Sequence, residues 1–215
     1  MTSNDKARPK RDLEAAKTRE DILAIATVEF SEKGLAGARI DDIADRTSSS
    51  KRMIYYYFGS KDALYRAVLE RAYERIRKQE KAARFEDLEP EQALRAIIGH
   101  TFDYHHDHPE FVRLVMNENV HRGEHIAQIE SMKQRNRVVI EALAEILRKG
   151  QDQGLFRAGI DPIDLHAMIS ANSFYNVSNR DTFLHNFGVD FAAPEVRARR
   201  REHVIDCVLT WVGKR

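Results

Sequence analysis

Residues 46–61 read RTSSSKRMIYYYFGSK, with four cations (Arg46, Lys51, Arg52 and Lys61) and no acid. Hydroxyl, ammonium and guanidinium groups of this kind donate to phosphate oxygens and base edges, and tyrosine rings can lie on a sugar-phosphate backbone. The stretch is the densest concentration of chemistry in the chain, and it is nucleic-acid chemistry. Catalytic patterns are absent from the sequence: no G-x-S-x-G, no phosphate-cradling glycine loop and no convincing acid pair. Asp41 and Asp42 are adjacent on a predicted helix and so point apart. The residues argue for a binding protein and against an enzyme.

The flanking elements support that use. In RIDDIADRT, Ile40, Ile43 and Ala44 share one face of a short helix, and Ile54 and Phe58 share a face of the next. Two short helices, a turn of three or four residues and a basic outer face make a helix-turn-helix, whose second helix enters the major groove. Local propensity opposes this at one place: MIYYYF (residues 53–58) is aromatic and β-branched and reads alone as a strand. Apolar spacings of three and four recur elsewhere and predict nine helices, roughly 15–33, 40–46, 50–57, 61–82, 91–107, 109–117, 121–151, 162–179 and 194–213. Pro90, Pro109, Pro162 and Pro194 open helices, where a missing N–H goes unnoticed, and Asp161 is placed as an N-cap. Gly34, Gly59, Gly150 with Gly154, and Gly188 are expected stops.

Composition narrows the class further. The 215 residues carry 35 Lys and Arg against 34 Asp and Glu, a net charge of +1, so any nucleic-acid role rests on local charge. The lone Cys207 rules out an internal disulfide and a cysteine zinc site, and it is expected as a buried packing residue beside His203, Val204, Val208 and Trp211. No uncharged apolar run is long enough to span a membrane, and the basic N-terminus has no apolar stretch after it. The expectation is a cytoplasmic, all-α protein without a membrane partner.

From about Thr18 to Ala72 the chain resembles the DNA-binding domain of the tetracycline-repressor (TetR) family, over about a quarter of its length. The resemblance rests on ILAIATVEFSEKGLAGARIDDIADRTSSSKRMIYYYFGSKDALYRAVLE, in which Ser50, Lys51, Ile54, Tyr55, Tyr57, Phe58, Ser60, Lys61 and Leu64 fall on the family pattern. It implies that MIYYYF is a recognition helix running into a turn. It also implies DNA contacts from Ser50, Lys51, Arg52, Met53, Tyr55, Tyr56 and Lys61, with Ser49 beside them. Arg52 is the candidate reader of guanine, since its fork can take O6 and N7 together. Lys51, Tyr55 and Lys61 are expected on phosphates, Tyr56 towards DNA and Tyr57 inward. Two positions depart from the pattern. Arg39 stands where a capping Thr or Ser usually starts the second helix; its charge can bind phosphate but cannot cap in the same way. Thr47-Ser48-Ser49 replaces a turn that usually contains glycine, putting a side chain where a positive φ would be strained. The basic arm, with Lys6, Arg8, Lys10 and Arg11, is a candidate for the minor groove, but a solvated tail is the favoured reading.

The expected domains are a flexible arm at 1–17, the helix-turn-helix domain at 18–62 and a sensing and dimerisation domain at 63–215. The resemblance implies a homodimer, with double-stranded operator DNA and a small-molecule effector as partners and no cofactor. The last two long helices would form a four-helix bundle with a second copy, through Met168, Ala171, Phe174 and Tyr175 and a stripe of Val204, Val208 and Trp211. A pocket between the helices of 91–151 and 162–179 would be lined by Phe102, His106, Phe111, Met116, Asn136, Asn172 and Phe174. His105, His106 and His108 cluster at a helix end, and His121 and His125 have the i, i+4 spacing that can present two ligands to one metal. Solvated or hydrogen-bonded histidine is the simpler reading, and no metal is assigned. The rival to a regulator is a helical small-molecule or metal-binding protein whose altered turn has cost it DNA.

Overall fold

The computed structural model describes the backbone of residues 7–214 and the side chains from Asp12 onward, apart from that of Glu86. Lys6 and the side chains of Arg8, Lys10 and Arg11 in the basic arm lie outside the described part. Ten α-helices follow in order: α1 (Ala7–Gly37), α2 (Ile40–Arg46), α3 (Lys51–Phe58), α4 (Lys61–Ala82), α5 (Pro90–Asp107), α6 (Pro109–Val120), α7 (Ser131–Asp152), α8 (Pro162–Ser178), α9 (Arg180–Phe187) and α10 (Pro194–Val212). No strand occurs among the described residues; the one bridge joins Phe156 to Gly213.

The chain forms two compact units. The first runs through Arg71 and takes in Arg113–Ile129; the second holds Ala72–Val112 and the chain from Glu130 onward. The sequence suggests a single crossing near residue 62. The polypeptide instead passes between units three times: within α4, within α6, and between Ile129 and Glu130 ahead of α7.

In the first unit, α1, α2, α3 and the start of α4 bury Ile22, Ala26, Phe30, Ile40, Ile43, Ile54, Leu64 and Val68. Ile40, Ile43 and Ile54 are where the spacing puts the inward face, whereas Ala44 and Phe58, expected on the same faces, are only partly buried. The Phe30 and Tyr65 rings meet edge to face at 5.1 Å, a geometry favoured by the ring quadrupoles. α1 is already helical at Ala7, the first described residue, well before the predicted start at about residue 15. It kinks at Gly34, whose φ of 65° ends regular helix three residues before Gly37.

The second unit is an α-helical bundle of α5, α7, α8 and α10 around Leu94, Ile98, Phe102, Leu143, Leu147, Leu165, Ile169, Ile205 and Val208. Val204 and Val208, expected on a dimer face, point into this core: they are stripe residues of their own bundle. Trp211 is half-buried, with the Arg157 guanidinium 4.3 Å over its ring and Arg157 Nε donating to its carbonyl at 2.7 Å. Cys207 is exposed, against the expectation of burial. It stands one position off the inward stripe of Val204, Ile205, Val208 and Val212.

Three local readings also change. Gly150 does not stop its helix: α7 continues to Asp152, and the Phe156 ring lies where a Cβ on Gly150 would be, 2.0 Å from Cδ2. The stop is Gly154, with φ 73°. Residues 121–130 are not the start of a long helix. Arg122 and Gly123 adopt φ of 58° and 71°, and the buried Glu118 carboxylate accepts the backbone N–H groups of His125 and Ile126 at 3.2 and 3.0 Å. Finally, α9 was not predicted, although its stop at Gly188 (φ 69°, left-handed) was. Asp161 caps α8 as expected, accepting from Ile163 N at 2.7 Å.

Candidate nucleic-acid interface

α2 is held at both ends by a buried carboxylate that the sequence did not single out. Glu29 on α1 is 1% exposed; its Oε1 lies 3.4 Å from the backbone N of Arg39 and 2.8 Å from Lys33 Nζ, and its Oε2 lies 3.5 Å from Arg46 Nη1. Arg39 makes no side-chain cap. Glu29 therefore accepts, from another helix, the N–H of the N-cap residue itself, the donor that a Glu or Gln at the third helical position takes in a capping box. Lys33 also pairs with Asp42 at 2.9 Å, which holds that carboxyl below its ordinary range.

The turn is closed by its own hydroxyls. Thr47 Oγ1 donates to the Ala44 carbonyl at 3.2 Å and accepts the Ser49 N–H at 3.2 Å. Among the described residues the non-glycine positive φ angles are those of Arg84 and Arg122, so the glycine-free turn carries no such strain. The departure at 47–49 therefore leaves the helix-turn-helix geometry intact, and the rival reading loses its support. Ser49 is buried, at 9% exposure. Its backbone N–H and carbonyl are tied to Thr47 Oγ1 within the turn.

α3 is a helix despite its strand-like composition, because Ser50 caps it and Ile54 anchors it: Ser50 Oγ accepts from Met53 N at 3.3 Å, and Ile54 is fully buried. Gly59 ends it with φ 79°. With one face pinned, the other side chains project outward. Tyr56 is 79% exposed; Met53 and Tyr55 are also exposed. Arg52 is exposed and makes no ion pair among the described residues. Lys51 is paired with Asp41 at 2.9 Å. Both partners are half-exposed, so the pair contributes little and is readily exchanged for a phosphate. Arg39 is exposed at the start of α2, and Lys61 is half-buried at the start of α4. Tyr57 is half-buried, as expected, with its ring edge-on to Tyr56 at 5.4 Å. A groove of about 660 Å³ runs between α1 and α3, lined by Thr18, Ser50, Arg52, Met53, Tyr56 and Tyr57.

The expected ligand residues are less united. Phe102 is fully buried, with His106 stacked on it at 4.3 Å and His106 Nδ1 3.1 Å from its carbonyl. Phe111 stacks on His105, and Phe174 meets the same ring edge-on, each at 5.8 Å. Asn172 spends its amide on the Met168 carbonyl at 2.8 Å, while Asn136 Oδ1 is buried without a protein partner. Met116 does not join them: it lies in the first unit and is 38% exposed. His105 was passed over as a site residue, yet it continues the buried face through Leu94, Ile98 and Thr101, and that periodicity was the signal.

The histidine pair at 121 and 125 is not presented on a helix. His125 sits instead between carboxylates of the first unit, with Nδ1 3.3 Å from Glu118 and Nε2 3.7 Å from Asp62. Among the described residues no three His, Cys, Asp or Glu side chains converge as a metal site would require.

Comparison with known proteins agrees with this geometry. Residues 22–68 match the family model described as bacterial regulatory proteins, tetR family. Residues 90–208, more than half of the chain, match the tetracyclin repressor-like C-terminal domain. The HTH-type transcriptional repressor NicS of Pseudomonas putida is 36% identical over 199 residues, 93% of this chain and 94% of that protein. The HTH-type transcriptional repressor SCO4008 of Streptomyces coelicolor is 34% identical, over 75% of this chain and 78% of the relative. Among solved structures, the S. coelicolor transcriptional regulator SCO4942 superposes with a TM-score of 0.67 at 27% identity, covering 91% of this chain and 98% of that one. A Saccharomonospora viridis regulator in complex with choline shares the fold, with a TM-score of 0.72 at 18% identity, over 93% of this chain and all of the other.

Proposed function

The chain belongs to the tetR family of bacterial regulatory proteins, and on that premise we propose that it is a cytoplasmic, ligand-responsive repressor that binds a palindromic operator as a homodimer. The observation that carries this reading is the outer face of α3, a capped and anchored helix that turns Arg52 and Tyr56 to solvent. Arg52 reads guanine through O6 and N7. Tyr56 lies against the groove wall, and Lys51, Tyr55, Lys61 and Arg39 hold phosphates. Ser50 contributes by fixing the helix start. The relatives named as repressors support repression over activation.

A second copy docks on α8, where Ile163, Ala171 and Tyr175 are exposed, and on α10. A two-fold relation between recognition helices then selects half-sites about 34–36 Å apart. An effector in the second unit favours one arrangement of its helices over another. Because α4 and α6 run from that unit into the first, both can carry the shift. Effector and operator then weaken each other's binding by the same factor.

The test is titration of purified protein onto its selected operator at several salt concentrations, with the mass of the complex measured by sedimentation. One dimer per palindrome, and affinity that falls steeply with salt, supports the reading. Binding to one half-site as a monomer, or none at any salt, would end it.

A further inference from the structure

Three helices of the second unit bring together buried polar groups that its core does not use. Arg77, near the end of α4, is about nine-tenths buried; its Nη1 donates to Glu80 at 2.6 Å, and its Nε has no protein partner. His105 on α5 is 4% exposed, enclosed by the Phe111 and Phe174 rings, with Nδ1 unpartnered. His166 on α8 is mostly buried, and Ser173, two turns further along the same face, is fully buried with its hydroxyl unpartnered. Burial pushes His105 down to about 3, and the groups acting on it (His106 on its own helix, Arg77 from α4 and His166 from α8) all push the same way. Burial takes His166 down to about 4, again with Arg77 adding to it. The cluster thus holds one guanidinium and two neutral imidazoles, with Glu80 as the acid paired to Arg77. Buried donors without acceptors are costly, and native proteins retain few without a use.

We propose that Arg77, His105 and His166 form the effector site, and that the effector is a small organic anion, a carboxylate on a flat apolar body. This rests on the reading of the chain as a ligand-responsive regulator. The carboxylate accepts the free Nε–H of Arg77 and a ring N–H of His105, and the aromatic rings beside His105 take the apolar body. The added negative charge also favours the charged imidazole against the burial that keeps it neutral, so binding draws a proton from solvent onto His105 or His166. A neutral amide of the same shape offers neither effect.

The experiment is calorimetric titration of the full-length protein with benzoate and phenylacetate, each against its amide. It is run near neutral pH in two amine buffers of different ionisation heat. At least one acid is expected to bind about tenfold or more tightly than its amide, with net proton uptake. Arg77→Met abolishes that preference, and Arg77→Lys, which keeps the charge and spares the fold, weakens the acids while leaving the amides unchanged. His166→Gln lowers the proton uptake. Equal binding of acid and amide, acid binding indifferent to both Arg77 variants, or no binding by either acid overturns the proposal. Operator binding is measured on the same preparations. Operator binding without acid binding removes the effector class and leaves the regulator; acid binding without operator binding keeps the site and removes the regulator.

Discussion

The Glu29 carboxylate, buried on α1, accepts the backbone N–H of Arg39, the residue that precedes α2 without capping it by its side chain. The contact joins the scaffold helix to the start of the helix-turn-helix. Removing the carboxylate strands that N–H and takes one partner from Arg46 and from Lys33, which keeps Asp42. Glu29→Ala is expected to cost about 2–3 kcal/mol of stability, and Glu29→Gln, which keeps an acceptor, about half as much. Chemical denaturation measures both, and operator affinity should fall in the same order.

Ser50 separates stability from recognition. Its hydroxyl caps α3, so Ser50→Ala should cost about 1 kcal/mol. Ser50→Asp retains the cap and suits the positive helix start, but it sets a negative charge against DNA. The expected outcome is a melting temperature close to that of the parent with strongly reduced DNA binding, measured by calorimetry and fluorescence anisotropy.

The helix-turn-helix was legible because its signal is local: Ile40, Ile43 and Ile54 mark the buried face, and Ser50, Gly59 and the basic run mark cap, stop and outer face. Glu29 was not legible, since one acid in an amphipathic helix reads as solvated until its partners ten and seventeen residues on are folded against it. The stripe of Val204 and Val208 shows the opposite failure. A periodic face tells that something covers it and not what, and here the chain's own bundle does. Residues 121–130 misled because Arg122 takes a left-handed conformation that its type disfavours, and the buried Glu118 just before it accepts the N–H groups of His125 and Ile126. Cys207 misled through one helical position.

Acid should weaken the fold through two buried imidazoles. His105 and His166 lie below the ordinary value of 6.5, at about 3 and about 4. Below pH 6.5 the unfolded chain takes up these protons and the folded chain does not. Their contribution is therefore intact above pH 6.5 and is lost progressively as the pH falls towards 4 and 3. Each histidine accounts for at most about 1.4 kcal/mol per pH unit. His105→Gln should reduce the stability lost between pH 6.5 and about 5 by about 1–2 kcal/mol relative to the parent; an unchanged loss would contradict the burial of His105.

Gly150 is a packing glycine. A methyl there meets the Phe156 ring, which must move from a site where Leu155 and Phe156 both donate to the Gly150 carbonyl, at 2.8 and 3.1 Å. Gly150→Ala is expected to destabilise by about 1–3 kcal/mol despite alanine's better helix propensity. Gly150→Ala with Phe156→Leu should recover part of the loss.

The central claim is that the exposed face of α3 reads a specific DNA sequence. It is tested most directly by selecting bound duplexes from a random library with the purified protein, alongside an Arg52→Ala, Tyr56→Ala double variant. Both side chains are exposed, so the variant should fold and melt like the parent while losing sequence selection. The account predicts an enriched palindrome for the parent and none for the variant. No enrichment by folded, dimeric parent protein, or the same palindrome enriched by the variant, would contradict it.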